Sequence, residues 1–302
     1  RSARSSHGFT ESAHNEKQII SSINDESFMS QRSEEESQDD SIDDEDDEHP
    51  LDGVENAEEL PMPEEINDNG IASPDLVHKV EDLFGSYRTK CFFSKNWTLR
   101  EAALAKMTLL VKEICSNSNG DCAEALCNII EVGLESSNLQ VYLAALILLG
   151  ESMVHLESTE LPQNKISPLL SRIVTSLLGK LADSKQKVVE SSTLALLSVA
   201  SSSCIDISSI VNAATKRIRS KDSKGGRTVK ARLHFLEHLA AEFGDGVAWK
   251  RVIEFTIGQK AFEHKLSDVR DAAKSLVVTL MTIHGEETIL QSLQDCDQVS
   301  ER

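Results

Sequence analysis

Apolar residues recur at three- and four-residue spacings from Ser73 almost to the end of the chain, and strict apolar–polar alternation is absent. This spacing places apolar side chains along one face of a helix and not on a strand. Turn-forming residues divide the pattern into pieces of helix length. The sequence therefore predicts an all-α domain with helices at 75–93, 98–116, 121–135, 138–156, 166–182, 186–203, 205–219, 227–243, 246–262 and 267–284, and a short piece at 286–294.

Local motifs mark the ends of these helices. Ser73 and Pro74 form a helix start, with a capping hydroxyl followed by proline at the first helical position. The segment from Thr98 to Glu101 has the spacing of a capping box. We expect a loop between Pro162 and Pro168, and a break at 225–226 where two glycines are adjacent.

The second helix of each pair begins in a similar way. Leu99, Val141, Val189, Val229 and Val269 can be aligned, and their spacings are 42, 48, 40 and 40 residues. Small residues follow three and four positions later in most copies, which allows two helices to approach closely. A repeat of about 40 residues made of two helices is typical of HEAT solenoids. We predict five helix pairs and a C-terminal cap over residues 71–302.

Residues 1–70 differ in composition from the rest of the chain. They contain 22 acidic and four basic side chains, whereas residues 71–302 carry a net charge of only −1. Such a segment cannot bury enough apolar surface to fold, so we predict a disordered acidic linker. Ser33, Ser37 and Ser41 precede acidic residues and would suit an acid-directed kinase; the alternative is that the segment is only a spacer.

In a solenoid, the turns inside the helix pairs line one edge. We place these turns near 94–98, 136–139, 183–187, 220–228 and 263–267. Their cations predict an electropositive edge that favours an acidic partner. Trp97 is either an interface anchor at this edge or a hydrophobic staple against its own helix. Arg270 is either part of the edge or, with Asp268, a tie between adjacent repeats.

Several other classes of function are not supported by the sequence. No glycine-rich phosphate loop is present, and His234 and His238 lack a third ligand at metal-site spacing. The six cysteines contain no CxxC pair and are expected to be free thiols in a reducing compartment. The near-neutral domain does not favour nucleic acid. We expect a soluble intracellular protein with no enzymatic activity, cofactor, bound metal, nucleic-acid partner or membrane partner.

The segment from Ser94 to Leu104, in which a tryptophan precedes a helix with arginine and small residues, resembles the first intra-repeat loop of TOG domains. These are HEAT arrays of the microtubule-regulator superfamily. The fifth repeat, from Phe262 to Arg270, is also similar, and the likeness is strongest to the TOG domains of centrosomal ciliary-tip proteins. The second turn has no basic residue and the fourth is long and glycine-rich, which departs from the family pattern.

The resemblance implies binding of a tubulin heterodimer or microtubule ends through the turn edge. It implies a cytoplasmic, cytoskeletal location, with the centrosome, centriole or cilium as the setting and with other centrosomal or ciliary proteins as further partners. The alternative is a generic HEAT scaffold that binds another protein on its concave face. The residues implied in tubulin binding are Trp97, Lys95, Arg100, Val141, Lys185, Lys187, Arg227, Lys230, Lys265 and Arg270.

Overall fold

A computed structural model describes residues 49–66, 73–117, 121–158, 162–218 and 223–300. These residues form twelve α-helices and no strand, which confirms the predicted all-α fold. The helices are α1 (Pro74–Phe84), α2 (Ser86–Phe92), α3 (Trp97–Asn117), α4 (Asp121–Leu134), α5 (Leu139–Ser158), α6 (Gln163–Lys180), α7 (Gln186–Ser201), α8 (Ile207–Ala214), α9 (Ser223–Phe243), α10 (Trp249–Gly258), α11 (Ser267–His284) and α12 (Glu286–Ser300).

The helices pack in two layers. The first helices of the repeats stack in the order α1, α4, α6, α8, α10 and α12. In the second layer α3 packs on α5, α5 on α7, and α9 on α11, while α8 contacts both α7 and α9. Each repeat therefore buries its apolar face against its neighbours, and one continuous core runs the length of the array. The five predicted helix pairs and the C-terminal cap are present.

Small side chains allow the second repeat to pack closely. A Cβ atom added to Gly133 of α4 would lie 2.5 Å from the Cβ of Ala145 in α5, so no larger side chain fits between the two helices. The same region holds a buried polar contact, since the Tyr142 hydroxyl lies 2.6 Å from the Ser192 Oγ of α7. Burial raises the pKa of Tyr142 to about 12, so its hydroxyl stays protonated.

Three predicted boundaries are wrong. The first helix is split at Gly85, whose φ of 80° ends α1 and starts α2. Pro168 lies inside α6, which begins at Gln163. Gly226 lies inside α9, where a Cβ would meet Leu266 Cδ1 at 2.7 Å. Gly226 therefore serves a close approach between repeats, and the predicted break at this point is absent.

Residues 49–66 pack against the first repeat, so the predicted boundary at residue 70 lies too late. Leu51 is fully buried. Arg88 Nε of α2 donates a 2.7 Å hydrogen bond to the Pro50 carbonyl oxygen. The prediction that the acidic segment is disordered otherwise concerns residues 1–48 and 67–70, which lie outside the described residues.

Helix α5 is the one described helix that is long and apolar enough to cross a membrane, and half of its most apolar window is buried in the fold. It packs against α3, α4 and α7. Its contacts with three neighbouring helices account for its apolar composition.

Candidate functional site

The turns within the helix pairs lie together on one side of the array. Because successive pairs run in the same direction and pack side by side, their turns share an edge. Two contacts join neighbouring turns directly. Lys185 Nζ in the third turn donates to the Ser137 carbonyl oxygen in the second, at 3.3 Å, and Gly226 at the start of α9 lies against Leu266 of the fifth turn. The turn edge consists of the described parts of the turns at 93–96, 135–138, 181–185, 215–222 and 259–266, with the first turns of the helices that follow.

Trp97 is the first residue of α3, and 44% of its surface is exposed. The cap of this helix is Asn96, whose Oδ1 accepts hydrogen bonds from Thr98 N at 3.0 Å and Thr98 Oγ1 at 2.8 Å. The predicted capping box at Thr98 is therefore wrong. A hydrophobic staple uses the residue before the cap, which is Lys95 and not Trp97. The staple hypothesis for Trp97 is rejected, and the indole is presented at the turn edge.

Two cations flank this indole. Lys95 is exposed in the turn, and Arg100 follows Trp97 by one helical turn. Burial lowers the pKa of the Arg100 guanidinium. Its Nε is buried and has no hydrogen-bond partner among the described residues. The first repeat thus presents an aromatic ring beside one exposed charge and one partly desolvated charge.

The second and third repeats contribute fewer accessible side chains to the candidate binding surface than predicted. Val141 is fully buried in the core, so it cannot contact a partner, and its assignment to the binding set is wrong. Its neighbour Tyr142 is also buried. Lys185 is exposed at the start of α7, whereas Lys187 is only half-exposed. The cation of the third turn that faces solvent is therefore Lys185.

Two predicted binding residues of the later repeats stabilise the edge. Lys230 Nζ of α9 lies 2.8 Å from Asp268 Oδ2 of α11, and this pairing lowers the pKa of the Asp268 carboxyl. Arg270 donates to the carbonyl oxygens of His264, at 2.6 Å, and Lys265, at 3.2 Å. Asp268 thus joins adjacent repeats, as the hypothesis of a tie between repeats predicts. Arg270 instead stabilises the turn that precedes its own helix.

The exposed cations of the fourth and fifth turns include residues that the sequence analysis does not assign to the binding set. Arg227 and Lys265 are exposed as predicted. Lys216 and Arg217 are also exposed, because α8 ends at Ala214 and not at 219. Lys260 is exposed in a left-handed conformation after the end of α10. The density of Lys and Arg between 216 and 221 could have revealed part of this cluster.

A groove of about 860 Å³ separates the fourth turn from the fifth. Ile218 and Val229 contribute apolar surface to it, while Arg217, Lys260 and Lys265 place cations around it. Arg232 supports one wall, since its guanidinium donates to the carbonyl oxygens of Ala213, Ala214 and Lys216 at the end of α8. The groove combines apolar contact area with positive charge.

The described residues contain no group of three His, Cys, Asp or Glu side chains arranged to hold a metal ion. Cys91, Cys122, Cys127 and Cys204 are buried and Cys296 is half-buried, and these five described cysteines are not joined in disulfides; the side chain of Cys115 is not described. Burial raises the pKa of Cys91 and of Cys204 to about 11 and that of Cys127 to about 12. These thiols are therefore poor nucleophiles.

Comparison with known proteins agrees with this architecture. The family model "XMAP215/Dis1/CLASP, TOG domain" matches residues 89–300. The human Cep104 TOG domain superposes with a TM-score of 0.65 at 18% identity, over 78% of this chain and 90% of that one. The TOG domain of Zyg9 from C. elegans superposes with a TM-score of 0.56 at 18% identity, over 76% and 86% of the two chains. A further structure, from work on TOG–tubulin binding specificity, gives a TM-score of 0.56 at 16% identity, over 74% and 88%.

A curated relative gives a shorter match. Human mitogen-activated protein kinase kinase kinase 1 is 27% identical over 156 residues, and the mouse and rat proteins match at 26%. The match covers 42% of this chain but only 10% of the kinase. It therefore relates one segment of a much longer protein to this domain and transfers no kinase activity.

Proposed function

Because the chain belongs to the XMAP215/Dis1/CLASP family of TOG domains, we propose that its turn edge binds the tubulin heterodimer and thereby regulates microtubule dynamics. The similar structure of 16% identity is described in terms of TOG–tubulin binding specificity, microtubule dynamics and mitotic spindle formation. That description concerns the other protein. What supports the same role here is the chemistry of the turn edge.

The observation that carries the proposal is the exposed indole of Trp97 between Lys95 and Arg100. Tryptophan and arginine are enriched among residues that dominate binding energy, because both combine apolar contact area with a polar group. Arg100 has already lost part of its hydration. A partner carboxylate would pair with the accessible part of the Arg100 guanidinium, since the Nε itself is buried.

The exposed cations at the other end of the edge provide a second contact. Arg217, Lys260 and Lys265 surround the groove three to four repeats away from Trp97. A heterodimer is long enough to meet both ends, so Trp97 contacts one subunit and Lys265 approaches the other. Lys185 and Arg227 extend the contact between them. Lys230 and Arg270 act by holding the turns in place.

The cellular setting is part of the proposal. A tubulin-binding role would place the chain on the cytoskeleton. The centrosomal or ciliary location is proposed from the sequence resemblance of the first and fifth repeats to the TOG domains of centrosomal ciliary-tip proteins. We propose that the chain acts by binding a protein partner, since the turn edge offers an exposed indole and exposed cations.

Gel filtration of the chain with unpolymerised tubulin tests the proposal. We expect a complex at low salt that weakens at moderate salt, because exposed charges are screened. Lys185→Glu with Lys265→Glu should abolish co-elution. Lys165→Glu with Lys250→Glu makes the same charge change at the starts of α6 and α10, on the opposite edge, and should leave the complex intact. Equal loss of co-elution in both double variants would show that tubulin binding depends only on the net charge of the chain.

A protein scaffold that uses the helical face remains the competing function. Leu109, Val154 and Val278 are exposed apolar residues on α3, α5 and α11, away from the turns. If no tubulin complex forms at either salt concentration, this scaffold function replaces tubulin binding.

A further inference from the structure

The groove between the fourth and fifth turns is lined by the ends of two successive first-layer helices. Arg217 and Ile218 follow the end of α8, while Gly258 and Lys260 lie at the end of α10. Val229 of α9 is buried and also contributes to the lining. The volume of about 860 Å³ falls within the range of about 300–1,000 Å³ that is usual for ligand pockets.

Gly258 keeps the α10 side of the groove open. A Cβ atom added at this position would meet no atom within 4 Å, although a larger residue would suit a helix better than glycine. Gly225 also lines the groove, and Ile218 is half-buried beside it. The groove therefore offers room and apolar surface for a side chain of a bound segment.

Lys260 is held in a strained backbone conformation at this groove. Its φ of 51° lies in the left-handed region, and Asn56 is the other described non-glycine residue with a positive φ. Asparagine tolerates this region, whereas lysine is strained there. Lys260 follows the C-terminal end of α10, a position at which glycine is the usual residue. Strain of this kind is concentrated at binding sites, because the fixed backbone holds a side chain in place.

The charged side chains of the groove are predominantly cationic. Arg217, Lys260 and Lys265 are exposed, whereas Glu263 is the single carboxylate among the described lining residues. Three cations against one carboxylate leave a positive lining. Residues 71–302 as a whole are close to neutral, so this charge is local to the groove and its surroundings.

Carboxylates near the groove do not cancel this charge. Asp268 is exposed at the fifth turn, but it is paired with Lys230 at 2.8 Å. Burial and, after it, the nearby Glu254 carboxylate raise the pKa of Cys296, so Glu254 lies beside α12 and not beside the fourth turn. Residues 219–222 lie outside the described residues, and in sequence they hold two basic side chains and one acidic one. The groove thus complements an anionic ligand.

We propose that this groove binds an extended acidic segment of a partner protein, with one large apolar side chain of the segment inserted beside Ile218 and Gly258. Arg217, Lys260 and Lys265 pair with carboxylates on either side of that residue. The apolar surface favours a peptide over a free phosphate, which charge alone would hold. The inference goes beyond the proposed function, because the segment need not belong to tubulin.

Fluorescence anisotropy with labelled synthetic peptides tests the proposal on the full chain. One probe has a central leucine between two runs of three glutamates, and in the second probe serine replaces the leucine. We expect the leucine peptide to bind about 10-fold more tightly than the serine peptide at low salt, because an apolar side chain is buried. Both complexes should weaken as salt is added. Equal affinities would identify a plain anion site and overturn the proposal, as would the absence of binding.

Two variants locate the site. Gly258→Leu fills the groove without changing charge and should weaken the leucine peptide at least about 10-fold. Gly179→Leu is its matched control, since Gly179 lies at the same end of α6, outside the groove, and its added Cβ also meets no atom within 4 Å. The control should bind like the parent.

Lys260→Gly removes one cation together with the backbone strain. It should weaken the leucine peptide about 3–10-fold and raise the urea midpoint of unfolding, whereas Lys165→Gln, on the opposite edge, should change neither. Parent-like peptide binding by folded Gly258→Leu or Lys260→Gly would overturn the proposal. These readouts contain no tubulin, so a chain that binds the peptide but forms no tubulin complex overturns the proposed function alone.

Discussion

The ammonium group of Lys185 lies 3.3 Å from the carbonyl oxygen of Ser137, so the third turn of the array touches the second. The pair joins two repeats at the edge that carries the candidate site. Lys230 and Asp268 join the fourth and fifth repeats in the same way. Residues far apart in sequence are thereby held in one row, and a single extended partner can contact several repeats at once.

The spacing of this row depends on the packing of α4 against α5. We expect Gly133→Ala to lower the free energy of unfolding by about 1–3 kcal/mol, because the new methyl group would overlap the Ala145 Cβ. Urea unfolding measures the change. Gly150→Ala is the matched control, since nothing lies within 4 Å of the added Cβ and alanine favours a helix. A control that destabilises equally would contradict the close-packing explanation.

The segment at residues 49–66 is expected to contribute to stability. Leu51→Ala removes a fully buried side chain and should cost about 2 kcal/mol or more in urea unfolding. Met62→Ala, in the same segment, truncates a side chain that is 78% exposed and should change stability by less than about 0.5 kcal/mol. If both substitutions are neutral, the segment does not pack against the first repeat in solution.

The buried thiols are expected to react slowly with alkylating reagents at pH 8. Burial raises the pKa of Cys91 from 9.0 to about 11 and that of Cys127 to about 12, which favours the neutral thiol. Two pKa units lower the thiolate fraction about 100-fold at pH 8. Iodoacetamide should therefore label the half-buried Cys296 before either of them, and urea should abolish the difference. Equal rates in the folded protein would contradict their burial.

The helical repeat could be read from the sequence because each element carries its own apolar face. The aligned set also carries information about burial. Three of the four counterparts of Val141, namely Leu99, Val229 and Val269, are buried, and the fourth, Val189, is half-buried. The internal alignment thus marks Val141 as a core position, and the family resemblance placed it wrongly in the interface.

Other features depend on tertiary contacts that no local pattern reveals. The sequence predicts a helix break at Gly226, but Leu266 from the next repeat occupies the space where a side chain at this position would be. Asn96 and Thr98 are both good caps, and only the geometry of the turn selects Asn96. Leu51 lies among acidic residues, so its burial depends on contacts with the first repeat.

The most direct test of the account is the affinity of Trp97→Ala for unpolymerised tubulin, measured at low salt beside Val278→Ala. Both substitutions truncate exposed apolar side chains, 44% and 61% accessible, but only Trp97 lies on the turn edge. Circular dichroism and urea unfolding check that both variants stay folded. We predict that Trp97→Ala weakens binding by roughly 2 kcal/mol, about 30-fold, and that Val278→Ala binds like the parent. Parent-like binding by a folded Trp97→Ala variant would contradict the claim that this indole anchors the partner.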